Sequence, residues 1–288
     1  MKTNTWIATT LLAAAPLALG HGFPDIKNER SGDLFRQLHW GQHWDVEDGV
    51  IHDGNSTGVT VQAEGETLYL AYPRGGSTEN AIVYFTDIFG LQLVNNRLLA
   101  DSLARAGYFV VLPDLFRADP VPADALSDPN SSFNMTEWRT RHPITQTEEI
   151  IDHAITAVRT GFNASHVAAV GYCFGGRFVA RHLATGGGVD VGFAAHPSST
   201  TADEWNAVVG PISLAFGELD GSNTPENRTN IEGIFSAGNK SFQTSLYAQA
   251  EHGFAVRTNL SVPLKAFAQE SAYWQAVRWF DAWVKGEY

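Results

Sequence analysis

The single cysteine of this 288-residue chain stands in Gly171-Tyr172-Cys173-Phe174-Gly175-Gly176, directly after the apolar run Val167-Ala168-Ala169-Val170. A nucleophilic residue with glycines two before and two after it, at the end of a buried strand, is the pattern of a nucleophile elbow. The chain turns there so sharply from strand into helix that the side chain is held exposed above the sheet. Cβ atoms at the flanking glycine positions would clash with neighbouring strands. A thiol held in this way attacks a carbonyl if a base takes its proton and an acid holds the base in the right tautomer. In such folds the acid follows a later strand and the histidine follows the last one. Phe216-Gly217-Glu218-Leu219-Asp220-Gly221 offers two carboxylates, and His252, in Glu251-His252-Gly253-Phe254, is the only histidine after residue 220. The chemistry is acyl transfer, whose oxyanion needs two backbone N–H donors. Phe174, at the start of the helix, supplies one. Ile88, in the loop Asp87-Ile88-Phe89-Gly90, is the candidate for the other.

These residues need a sheet whose strand ends converge. The alternation of Val59 and Val61, then Leu68 and Leu70, about Glu64-Gly65-Glu66 reads as an opening β-hairpin. Ala81 to Phe85 and Phe109 to Leu112 read as strands. Between them Leu93, Leu98, Leu99, Leu103 and Ala106 keep helical spacing up to Gly107. Strand, helix, strand at this interval implies parallel pairing through a right-handed crossover. Residues 117–143, with several prolines and two sequons, read as a lid-like surface excursion. A helix is expected over 145–160, followed by the nucleophile strand and its helix. Strands at 189–194, 212–216 and 242–248, a helix from Thr224 and a long final helix complete the pattern. That final helix carries Phe267, Tyr273, Trp274, Val277, Phe280 and Trp283 at core spacing. The expectation is one α/β domain over 21–288, a mostly parallel central sheet flanked by helices on both faces, with ligands at the carboxyl ends of the strands.

Residues 1–20 carry Lys2, an apolar stretch from Trp6 to Leu19 and Ala18-Leu19-Gly20, the features of a secretory leader. Seven N-x-[ST] sequons, at Asn55, Asn130, Asn134, Asn163, Asn227, Asn239 and Asn259, suit a secreted glycoprotein. The apolar stretch is short for a transmembrane span. A formal net charge of −12 argues against nucleic acid and anionic membranes as partners. A small-molecule substrate and a monomer or weak oligomer are the expectation. One cysteine in an oxidising compartment makes no internal disulfide, and the glycine frame argues for a retained reactive thiol.

The motifs together resemble the dienelactone hydrolase family, in particular its fungal secreted members, over roughly His52 to the C-terminus. The resemblance rests on Asp87-Ile88-Phe89-Gly90, Leu112-Pro113-Asp114-Leu115-Phe116, the glycine-framed Cys173, the Gly217 to Asp220 loop and Glu251-His252-Gly253-Phe254. It implies the α/β-hydrolase fold, a carboxymethylenebutenolidase-like hydrolysis of carboxylic esters or lactones, and Cys173, Asp220 and His252 as the triad, with Asp220 rather than Glu218 as the acid. It also implies that a carboxylate before the Ile-Phe-Gly loop contacts the resting thiol. Here that residue is Asp87, one methylene shorter than the family's glutamate, which acts on the thiol directly, acts through water, or only orders the loop. Arg257 resembles an arginine that meets a substrate carboxylate, at a spacing one residue different. Arg139 and Arg141 are further candidates by position.

His196, after a strand, reads either as lining the pocket or as a hydrogen-bonded buried histidine. His39 and His43 stand i, i+4, and cleavage after Gly20 would leave His21 as a copper-binding amino terminus. No acidic or thiol cluster completes either site, so neither metal nor organic cofactor is implied. The rival reading is a non-catalytic secreted glycoprotein of the same fold that binds a small or carbohydrate ligand.

Overall fold

The computed structural model describes residues 49–126 and 128–287. The expected leader and His21, His39 and His43 lie outside the described residues. Eight strands form one sheet: β1 (Val59–Ala63), β2 (Glu66–Ala71), β3 (Asn80–Phe85), β4 (Phe109–Pro113), β5 (His166–Tyr172), β6 (Val191–Ala195), β7 (Ile212–Gly217) and β8 (Phe242–Tyr247). Their order is β1-β2-β4-β3-β5-β6-β7-β8. The hairpin β1–β2 and its junction with β4 are antiparallel, and every other pairing is parallel. Glu64 and Gly65 both take positive φ in the hairpin turn, the handedness that matches strand twist.

The parallel strands are apolar on both faces because both faces are covered. Ala81, Val83 and Phe85 of β3 join one core layer with Ile150, Ile151, Phe178 and Val179. Ile82 and Tyr84 join the other, with Leu99, Leu103, Ala276 and Phe280. Helices α1 (Val94–Arg105) and α7 (Pro263–Phe280) supply the second layer. Helices α3 (Ile144–Thr156), α4 (Phe174–His182), α5 (Ala202–Ala207) and α6 (Pro225–Ala237) supply the first. No helix among the described residues is long and apolar enough to cross a membrane.

The expected strands and long helices are present, with bounds shifted by a few residues, and two short helices come in addition. In α2 (Met135–Arg141) the Asn134 side chain caps by accepting from the Thr136 and Glu137 N–H groups. In α5 Thr201 and Glu204 form a reciprocal capping box. The 117–143 excursion is tied down rather than loose: Trp138 is buried and donates through Nε1 to the Asp119 carbonyl at 2.8 Å. The final helix departs from the expected packing. Tyr273, Val277 and Phe280 are buried, whereas Phe267 is 49 % and Trp283 39 % exposed.

Two glycines in helices contrast sharply. A Cβ on Gly175 would run into the Phe85 carbonyl of β3, whereas one on Gly233, exposed in α6, would meet nothing within 4 Å. Gly233→Ala should raise stability by about 0.5–1 kcal/mol through helix propensity. Gly175→Ala should lower it by at least about 3 kcal/mol because backbone cannot yield as a side chain does. Urea unfolding of the two variants checks both.

Candidate active site

Strand β5 ends at Tyr172 and α4 begins at Phe174, so Cys173 alone makes the turn, at φ 53° and ψ −112°. This is a costly conformation for a residue with a Cβ, and such strain persists only where the surroundings over-determine it. Gly175 lets α4 sit against the end of β3. A Cβ on Gly171 would strike the Gly175 carbonyl and Val179, so there the obstacle is α4 rather than a neighbouring strand. Four main-chain contacts also grip Cys173. Its N–H lies 3.2 Å from the Ala195 carbonyl and 3.1 Å from Nδ1 of His196. Its carbonyl accepts from Gly176 N–H at 3.1 Å and Ser198 N–H at 3.0 Å.

Three sequence-distant side chains converge above this turn. His252 Nε2 lies 3.0 Å from Cys173 Sγ, and His252 Nδ1 lies 2.9 Å from Asp220 Oδ1. Asp220 is buried in the turn after β7. Its Oδ1 also accepts from Ser222 N–H at 2.8 Å, and its Oδ2 accepts from Asn223 Nδ2 at 2.8 Å. Burial alone would raise the Asp220 carboxyl. The hydrogen bond and charge of His252, with the donors from Asn223 and Ser222, hold it below the usual carboxylate range instead. Burial works against a charged His252 as well, but hydrogen bonds to Asp220 and Cys173 and the charges of both push it up to about 10. Glu218, the other carboxylate of this loop, is exposed and accepts from Gln249 N–H at 2.8 Å.

Ile88 and Phe174 are half-buried, and neither N–H has an acceptor among the described residues. Phe174 opens α4, whose first N–H groups have no intrahelical partner. Asp87 is buried and serves the Ile88 loop. Its Oδ1 accepts from Phe89 N–H at 3.1 Å and Asn96 Nδ2 at 3.0 Å, while Oδ2 lies 3.5 Å from Arg257 Nε. Burial pushes its carboxyl above the usual range against the pull of Asn96, Arg257 and Phe89 N–H. Cys173 is not among its partners, so the direct thiol contact considered from the resemblance is not formed. The shorter side chain is taken up by its own loop. Arg257 stacks over the Phe89 ring at 4.0 Å, with two-fifths of its side chain open to solvent.

His196 is fully buried, with Nδ1 on the Cys173 N–H, so of its two readings the structure shows the hydrogen-bonded buried histidine. Arg141 pairs with Asp119 at 3.0 Å, and Arg139 is exposed on the same helix. All seven sequon asparagines are exposed. The sequence reading missed Asn223, which bridges Asp220 and the Pro197 carbonyl, and Asn96, which holds Asp87 and accepts from Tyr84 at 3.0 Å. A polar residue amid the apolar period of α1 was a signal for Asn96. Asn223 carried none, because its partners meet only in space. Acyl transfer is the chemistry this set of groups can perform.

Known proteins share the sequence pattern and the fold of this chain. The sequence profile described as the dienelactone hydrolase family matches residues 67–284. A hydrolase of Aspergillus violaceofuscus, pyvD, is 38 % identical over 237 residues, covering 82 % of this chain and 95 % of its own. Dienlactone hydrolase 2 of Gibberella moniliformis is 32 % identical over 244 residues, covering 82 % and 93 %. The crystal structure of a dienelactone hydrolase-like promiscuous phosphotriesterase from metagenomic libraries shares the fold. It has a TM-score of 0.64 at 20 % identity, covering 80 % of this chain and 99 % of that one.

Removing the Asn223 amide would leave two buried acceptors, Asp220 Oδ2 and the Pro197 carbonyl, without this donor. Asn223→Ala should therefore cost about 1–3 kcal/mol of stability, measured as a lowered urea midpoint at unchanged slope.

Proposed function

The chain belongs to the dienelactone hydrolase family, and from that premise we propose that it cleaves small carboxylic esters or lactones through a cysteine acyl-enzyme. The observation that carries this reading is the unbroken line Asp220–His252–Cys173, with links of 2.9 and 3.0 Å, while Ile88 N–H and Phe174 N–H are left unengaged among the described residues. The sulfur, its proton passed to His252 Nε2, attacks the carbonyl carbon. A C–S bond forms, and the carbonyl electron pair moves onto the oxygen between Ile88 N–H and Phe174 N–H. As that pair returns, the C–O bond breaks and the imidazolium gives its proton to the leaving alkoxide. In a lactone this oxygen stays tethered to the acyl group. Water then attacks the thioester with His252 as base, the C–S bond breaks, and acid is released with the thiol restored. Asp220 orients the imidazole throughout and stabilises its charged form.

Asp87 in this scheme orders the turn that presents Ile88 N–H, and Arg257 beside it stands ready for an anionic substituent of the substrate. The name of the Gibberella relative supports a lactone, and the accommodation of Asp87 and Arg257 to each other leaves neutral esters within the same chemistry. We further propose a secreted glycoprotein, on the leader-like residues 1–20 and seven sequons that all reach the surface.

Cys173→Ala should lose at least about a thousandfold in kcat/KM on p-nitrophenyl acetate and on a dienelactone, and Asp220→Asn at least about a hundredfold. An alanine variant that still turns over would sink the thiol mechanism. Expressed in a fungal host, the protein should appear in the medium and lose mass on treatment with peptide N-glycosidase. A product retained in the cell without glycan would overturn the secretion proposal.

A further inference from the structure

A buried titratable side chain that takes no part in the mechanism above touches Cys173. His196 directly follows β6, has a left-handed φ of 40° and is fully buried. Its backbone N–H donates to the Ala215 carbonyl at 2.8 Å. The polar bond of its ring is the one that Nδ1 accepts from Cys173 N–H at 3.1 Å, and Nε2 has no partner. An imidazole that accepts at Nδ1 carries its proton at Nε2 if neutral. Burial, reinforced by the charge of His252, drives His196 well below the usual histidine range and so keeps it neutral. The ring centroid lies 5.2 Å from that of His252, 5.5 Å from Phe254 and 6.1 Å from Tyr172, so the ring is packed among other rings.

A strained backbone and an orphaned buried donor both oppose folding, and neither brings a compensating contact of its own. What the residue does provide is an acceptor at the nucleophile. The turn it opens continues this grip. Ser198 N–H donates to the Cys173 carbonyl at 3.0 Å, Ser198 Oγ lies 3.7 Å from Sγ, and the Pro197 carbonyl is joined through Asn223 to Asp220.

We propose that His196 is a positioning residue, whose Nδ1 holds the Cys173 N–H and with it the left-handed turn that aims Sγ at His252 and leaves Phe174 N–H free for the oxyanion. The proposal rests on Cys173 being the nucleophile. It adds that the amide of that residue is shared between the Ala195 carbonyl and a side chain, and that loss of the side chain leaves it with Ala195 alone.

Two amide variants separate this role from mere packing. His196→Asn puts an oxygen where Nδ1 stands and tolerates positive φ, whereas His196→Gln carries the same amide one methylene further, toward Nε2. His196→Asn should keep kcat within about threefold, whereas His196→Gln should lose at least about tenfold in kcat with KM within about twofold. Alkylation of Cys173 by iodoacetamide, followed by mass, should slow in the same order. That readout needs no substrate, so it stands even if the esters tried are not cleaved. Thermal unfolding verifies that each variant is folded. If His196→Gln does not fold, His196→Gly accepts the φ angle, lacks the acceptor and should show the same loss. Wild-type kcat and alkylation in a folded Gln or Gly variant would overturn the proposal, as would an Asn variant that falls as far as the others.

Discussion

Helix α4 rests against the carboxyl end of β3 at van der Waals contact between main chains, and the rest of the site follows from that closeness. A backbone that must leave β5 and enter a helix pressed onto the neighbouring strand has one residue in which to reverse, and that residue is Cys173. The same turn leaves the Phe174 N–H, the first of α4 and next to Cys173, without an acceptor among the described residues. The strained turn at Cys173 and the free N–H of Phe174 are therefore consequences of one packing event, and neither can be relaxed without the other.

The charged partners solve a different problem. Asp220 and His252 come from loops after β7 and β8, with no strand of their own to fix them, and both lose hydration on burial. Hydrogen bonds compensate the carboxylate: three contacts converge on the two oxygens of Asp220, from His252, Ser222 and Asn223. A buried charge so enclosed resists rearrangement, and loops behave here like elements of the sheet. Asp87 differs: Asn96 and Phe89 N–H hold its Oδ1, whereas Oδ2 faces Arg257 at 3.5 Å without a hydrogen bond.

The order of strands and long helices could be read from the chain because it is written in periodicity: continuous apolar runs for the strands covered on both faces, a 3.6-residue period for α1 and α3. Cys173 and His252 could be read because each is the single residue of its kind in the right place, and the turn glycines around Cys173 announce the backbone they allow. The choice between Glu218 and Asp220 could not be read from spacing. Two residues apart in a turn, they differ only in which one the loop folds inward, and Glu218 instead ties down Gln249. His196 was legible as a histidine after a strand but not as an acceptor for Cys173, since the parallel pairing of β5 with β6 is what brings their ends together. The capping box of α5 was present as Thr201 and Glu204 and passed unread among polar neighbours.

The chain holds one sulfhydryl, half-buried at the turn and lying beside an imidazole. Oxidation to a sulfenic acid would find no resolving cysteine within the molecule, so no internal disulfide could shelter it from the sulfinic state. Repair would depend on a thiol arriving from solution. The same solitude makes Cys173 a stoichiometric label site, since a thiol-selective electrophile can modify one atom per chain.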